Sequence, residues 1–166
     1  YLHWVLAGGY ATIENTTFEE NIAIPSPMLV GGANLGGGIC ILAEAVTDSL
    51  SIKIENSDFL RNELPMEGAG AAIFLTNFSA GVVPNPNNFL DLQIKECSFT
   101  ENKVIGNTLS EGGAVSIESN TGLMNLVLEE SSFSRNEANL YGALSMLHIE
   151  PGDLQTEIRN CQFEEN

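Results

Sequence analysis

Basic residues are scarce. The chain carries 6 Lys and Arg against 22 Asp and Glu, a net charge of −16. Recognition of phosphate needs clustered Lys and Arg, so nucleic acid is excluded as a partner class, and an anionic membrane surface repels such a chain. No apolar run approaches the ~18 residues of a membrane span, so no membrane insertion by this segment is expected. The two His, His3 and His148, are isolated, and the three Cys, Cys40, Cys97 and Cys161, lie far apart in sequence. Zinc therefore has no Cys/His cluster to bind, and no Ser/His/Asp spacing supports nucleophilic catalysis. No catalytic residue and no cofactor is expected. The acidic balance is read first as a soluble, mutually repelling surface, and second as a source of calcium ligands in acidic loops. No signal peptide is visible, the first residue is Tyr1 rather than Met, and the chain stops inside a repeating motif. We read residues 1–166 as a single segment of a longer protein.

What the chain has in quantity is turn chemistry and a repeat. Gly occurs 16 times, and Gly and Asn favour turns and left-handed backbone. Five copies of Phe-x-x-Asn occur, Phe18–Asn21, Phe59–Asn62, Phe99–Asn102, Phe133–Asn136 and Phe163–Asn166, with Phe spacings of 41, 40, 34 and 30 residues. Such spacing indicates a fixed unit with variable loops. Five residues before each Phe stands an aliphatic: Ile13, Ile54, Ile94, Leu128 and Ile158. Apolar or small residues recur at seven and nine before, and this period of two predicts a strand with one buried face. A small residue stands two before each Phe: Thr16, Ser57, Cys97, Ser131 and Cys161. A second, Gly-rich strand follows four of the motifs, over 36–41, 70–75, 112–117 and 141–146.

One such unit cannot bury its own apolar faces. Stacked units place each strand beside its copy about 4.8 Å away, so Ile lies on Ile, Phe on Phe and Asn on Asn. The expectation is an all-β right-handed parallel β-helix, a solenoid of about five coils of 30–41 residues, with strands joined by Phe-x-x-Asn turns. Loops are expected over 22–35, 63–69, 103–111 and 137–140, and over 42–49, 76–89, 118–123 and 147–153. All six Pro fall within these loops.

The pairing of Phe-x-x-Asn with Gly-Gly-Ala-aliphatic, best seen in Gly112–Ile117, resembles the repeats of the chlamydial polymorphic outer-membrane proteins. The resemblance runs from about Gly9 to Asn166. It implies a pectin-lyase-like right-handed β-helix and an exported, adhesive passenger. Gly36–Ile41 lacks the Ala and Tyr141 replaces a Gly, which are departures from the pattern. The family's membrane barrel is absent, so membrane attachment does not carry over.

The site residues expected are therefore structural. Phe18, Phe59, Phe99, Phe133 and Phe163 should form a core stack, and Asn21, Asn62, Asn102, Asn136 and Asn166 a ladder. Cys97 and Cys161 share a register position two coils apart. That separation is about 9.6 Å, beyond the ~7 Å limit for a disulfide, so all three Cys are read as buried small hydrophobes. Arg61 and Arg135 occupy one turn position and read as a solvated column. Asn77 and Asn15 head N-glycosylation sequons.

The leading function is a non-enzymatic structural or adhesive segment of an extracellular, cell-surface or filament-forming protein. Its partners would be further coils of the same chain or head-to-tail copies, with Tyr1–Gly9 packing on a partner coil. The alternative is a carbohydrate-binding or polysaccharide-cleaving module, with glycans as partners and Tyr1, Trp4, Tyr10 and Tyr141 as the Trp and Tyr side chains at hand.

Overall fold

The computed structural model describes residues 2–5, 9–23, 34–42, 49–65, 68–76, 89–106, 110–119, 123–148 and 154–166. Among them all regular structure is β, and every strand pairing is parallel. Three five-stranded sheets dominate. The first holds Leu2–Val5, Ile39–Leu42, Ile73–Thr76, Val115–Ser119 and Leu144–His148. The second holds Gly9–Glu14, Ser49–Glu55, Phe89–Lys95, Leu123–Glu129 and Leu154–Arg159. The third holds Thr17–Glu19, Asp58–Leu60, Ser98–Thr100, Ser132–Ser134 and Gln162–Glu164. The chain visits first, second and third sheet in that order and then begins again, five times, and neighbours in each sheet come from successive repeats.

Period-two alternation fixes the second sheet. In Ser49–Glu55 the side chains of Leu50, Ile52 and Ile54 are buried, while Ser51 and Lys53 between them face outward. Pairing sets Leu90 beside Leu50, Leu92 beside Ile52 and Ile94 beside Ile54, and continues to Met124, Leu126 and Leu128. A slip of one residue would turn every aliphatic to solvent, so the register is strongly specified. The inward residues of all three sheets meet in one core that includes Ile39, Ile73, Val115, Ile94 and Phe99.

Two expectations change. The residues around each Phe are not a turn but the third sheet: three residues per strand, pointing out, in and out, with Phe inward. The bends lie on either side, each at one residue in the left-handed region. Asn15, Asn56, Glu96, Glu130 and Asn160 precede the short strands, with φ of 50–52°. Glu20, Arg61, Glu101, Arg135 and Glu165 follow them, with φ of 51–56°. Single left-handed residues turn the chain sharply without a long loop. The segment Leu2–Val5, expected as part of Tyr1–Gly9 to pack on a partner coil, instead joins this chain's own stack. It pairs with Ile39–Leu42 as an outer strand of the first sheet.

Parts of the expected loops are bonded to neighbouring repeats. Glu63–Leu64 pairs with Lys103–Val104, and Asn34–Leu35 with Gly68–Ala69. Lys103 N donates to Asn62 O at 2.9 Å, and Ile105 N to Leu64 O at 2.7 Å. The stack thus continues through these corners, where Leu64, Ala71 and Val104 form a small core of their own. Of the loops expected over 42–49, 76–89, 118–123 and 147–153, residues 118–119 and 147–148 are strand, and 43–48, 77–88, 120–122 and 149–153 lie outside the described residues, as do Pro25, Pro27, Pro84, Pro86 and Pro151.

A third bend precedes the Gly-rich strands, and there the residue type matters. Gly70 has φ of 66°, and a Cβ on it would overlap the carbonyl oxygen of Ile73. Tyr141 occupies the matching position in the last repeat with φ of 57° and its side chain exposed. A left-handed conformation costs a residue with a Cβ about 1–2 kcal/mol, partly offset by the greater freedom of Gly in the unfolded chain. Tyr141→Gly should therefore stabilise the protein by about 1 kcal/mol, read as a raised urea midpoint at unchanged slope.

Candidate functional site

Each short third-sheet strand presents one Phe to the interior, and parallel pairing sets Phe18, Phe59, Phe99, Phe133 and Phe163 one above the next. Ring centroids are 5.0, 4.8, 4.6 and 4.8 Å apart along the column, and the planes are within 9° of parallel. Phe59, Phe99 and Phe133 are fully buried and Phe18 is half-buried. Phe163, in the last repeat, is 47 % exposed, because no further ring covers its far face.

Three residues on, the Asn side chains form a continuous amide column. Asn21 Nδ2 donates to Asn62 Oδ1 at 2.8 Å, Asn62 to Asn102 at 2.9 Å, Asn102 to Asn136 at 2.9 Å and Asn136 to Asn166 at 2.8 Å. The second Nδ2 hydrogen reaches the Phe carbonyl of the preceding repeat, as in Asn102 to Phe59 O at 2.9 Å. Each Oδ1 also accepts the backbone N–H of the preceding Asn, as in Asn62 N to Asn102 Oδ1 at 3.1 Å. Asn62, Asn102 and Asn136 are buried with these needs met, whereas Asn166 is exposed. A buried amide satisfied in this way fixes the stacking register as well as adding stability.

The small residue two before Phe forms a third column, and its hydrogen bonds were not expected from the sequence. Ser57 Oγ donates to Glu55 O at 2.7 Å and Ser131 Oγ to Glu129 O at 2.8 Å, while Thr16 N and Cys97 N donate to those hydroxyls from the preceding repeat. Cys97 Sγ makes the same contact to Lys95 O at 3.1 Å. Cysteine stands in for serine here because its thiol is a weak donor of similar size. All three Cys are free thiols. Burial pushes Cys40 up to about 12 and Cys97 up to about 11, so both stay protonated and unreactive near neutral pH. Cys161 is only half-buried, unlike the fully buried position expected, because it sits in the last repeat.

The surface carries columns too. Arg61 and Arg135 alternate with Glu20, Glu101 and Glu165 at the bend after each Phe. Arg61 pairs with Glu20 at 3.1 Å and also with Glu19, and Arg135 pairs with Glu101 at 3.3 Å. These groups are exposed, and such pairs each contribute little to stability. Their alternation is legible in the sequence two residues after each Phe. Other basic residues are engaged likewise, Lys103 with Glu137 at 2.6 Å and Lys53 with Glu55 at 2.8 Å.

The remaining expected positions do not converge. Asn15 is exposed at a left-handed bend, and its Oδ1 accepts from Asn56 Nδ2 at 3.1 Å. Asn77 lies outside the described residues, as does Tyr1. Tyr10 is 87 % exposed in the first repeat, and Tyr141 lies at the bend into the last, so they share no groove. An open cleft of about 540 Å³ lies beside Tyr141, lined by Arg135, Glu137, Gly142, Glu165 and Asn166 among others. Comparison with family models, curated proteins and solved structures gave no match.

Proposed function

We propose that the chain is a segment of a right-handed parallel β-helix with a structural or adhesive, non-enzymatic role in an extracellular, cell-surface or filament-forming protein. The observation that carries this reading is the unbroken run of Phe and Asn columns through all five repeats. Such columns commit the interior polar and aromatic groups to joining one repeat to the next, which gives a stiff rod with a repeated surface. The resemblance of Phe-x-x-Asn and Gly-Gly-Ala-Val to the chlamydial outer-membrane repeats supports an exported, adhesive setting.

The partners proposed are further coils of the same chain or head-to-tail copies. In the last repeat Met146, Ile158 and Phe163 are 38, 45 and 47 % exposed, while Ile117, Leu128 and Phe133 below them are each 1 % exposed. An apolar layer with open strand edges attracts another layer. A head-to-tail contact of this kind extends into a filament when it does not close. Sedimentation velocity of the 166-residue chain at tens of micromolar, roughly where exposed apolar edges associate, should show assemblies that grow with concentration. Ile158→Lys combined with Phe163→Lys should return a folded monomer. A wild-type chain that stays monomeric there defeats the assembly reading.

A further inference from the structure

We propose that the outer face of the first sheet carries a calcium site, with Glu111 and Glu118 as charged ligands and the hydroxyl of Ser116 as a neutral one. Val115 and Ile117 point into the main core, as do Ile73 and Leu75. Strand alternation therefore sends Ser116, Glu118, Phe74 and Thr76 to the opposite face. Register sets Thr76 beside Glu118, and Ser116 between Phe74 and Ser145. Glu111 reaches the same face, where its Oε2 accepts from Ser145 Oγ at 3.1 Å. Two carboxylates and three hydroxyls thus share one face of adjacent strands about 4.8 Å apart, with Ser116 and Ser145 on one rung and Thr76 and Glu118 on the next.

The hydroxyls on this face are buried, while Glu111 and Glu118 are half-buried and Leu147, beside Glu118, is exposed. Ser116 is 0 %, Ser145 4 % and Thr76 8 % exposed, beside a second small core of Cys40, Ala69 and Phe74. The hydroxyls of Ser116 and Thr76 have no hydrogen-bond partner in the protein. A buried hydroxyl without a partner is costly, and so is a half-buried carboxylate without a counter-charge. All six basic residues of the chain are ion-paired, and every partner is a carboxylate other than Glu111 and Glu118. Among the described residues the cluster therefore offers oxygen lone pairs and negative charge and holds no cationic side chain.

Those are the requirements of a hard cation. Calcium accepts six to eight oxygens in irregular geometry, and water or backbone carbonyls can complete the shell, whereas magnesium demands a near-octahedral set. Among the described residues no His or Cys belongs to the cluster, which disfavours zinc. The site follows from the sheet register and the buried, unpartnered hydroxyls and is independent of the assembly reading.

Titration calorimetry of the 166-residue chain with calcium chloride should show one site, with a dissociation constant of about 10⁻⁴–10⁻³ M, the range of extracellular calcium modules. Magnesium at matched ionic strength should bind at least tenfold more weakly. Glu111→Gln, Glu118→Gln and Ser116→Ala should each weaken calcium binding about tenfold or more. Glu130→Gln with Glu165→Gln, at exposed bends, should leave it unchanged. In calcium-free buffer Glu118→Gln should melt higher than the parent, since the neutral isostere removes a half-buried charge. That measurement keeps the proposal testable should Glu111→Gln fold poorly. Absence of binding heat overturns the proposal, as does an equal response to magnesium, which would be screening of the acidic surface. Calcium affinity unchanged in both Glu118→Gln and Ser116→Ala overturns it too, leaving the hydroxyls to ordinary buried water.

Discussion

Phe99→Ala should destabilise the protein by about 3–5 kcal/mol, the usual range for truncating a fully buried aromatic. The ring lies 4.8 Å from Phe59 and 4.6 Å from Phe133 in parallel planes, so its removal opens a gap in mid-column. The backbone beside it is held by pairings on both sides, Phe99 with Phe59 and with Phe133, so the gap cannot close by collapse. Phe163→Ala should cost much less, because that ring is 47 % exposed and has one neighbour. Urea unfolding of the two variants measures the contrast. A loss below about 1 kcal/mol for Phe99→Ala would show that the stack does not hold the interior together.

Asn102→Ala should cost on the order of 3–5 kcal/mol, because each buried group left unpaired costs about 1–3. Four partners lose their bond: the Asn62 N–H, the Asn62 Nδ2, the Phe59 carbonyl and the Asn136 Oδ1, or rather its share of the donors reaching it. Asn102→Asp separates hydrogen bonding from size. The carboxylate still accepts from Asn62, but it faces the Phe59 carbonyl and Asn136 Oδ1 with no donor. Its penalty should therefore be largest at neutral pH and should shrink as acid protonates the new carboxyl. Equal stability of Asn102→Asp and the parent at neutral pH would place the amide column outside the forces that set the register.

The second sheet was the part most open to sequence reading. Three aliphatics at alternate positions, such as Leu50, Ile52 and Ile54, suffice to define a period and a buried face. The third sheet was not, because a three-residue strand has one inward side chain and a period cannot be read from one Phe. The bends were hidden for a different reason. Left-handed positions are usually announced by Gly or Asn, and here Glu96, Glu101, Glu130 and Arg135 fill them. The Leu2–Val5 strand precedes the first Phe-x-x-Asn and has no Gly run, so nothing marked it as a copy of the Gly-rich strand. The Glu111–Glu118 cluster could not be found from spacing either. Its members meet Thr76 and Ser145 only through the parallel register.

The central claim is that five repeats stack in parallel and in register through the Phe and Asn columns. Proton NMR of labelled protein tests it most directly, by contacts between side-chain amides and rings of different repeats. The account predicts Asn102 Nδ2 protons that exchange slowly and show contacts to both Asn62 and Asn136, with Phe99 ring protons close to Phe59 and Phe133. Asn102 amide protons that exchange at the rate of an exposed side chain, or contacts that pair these strands antiparallel, would contradict it.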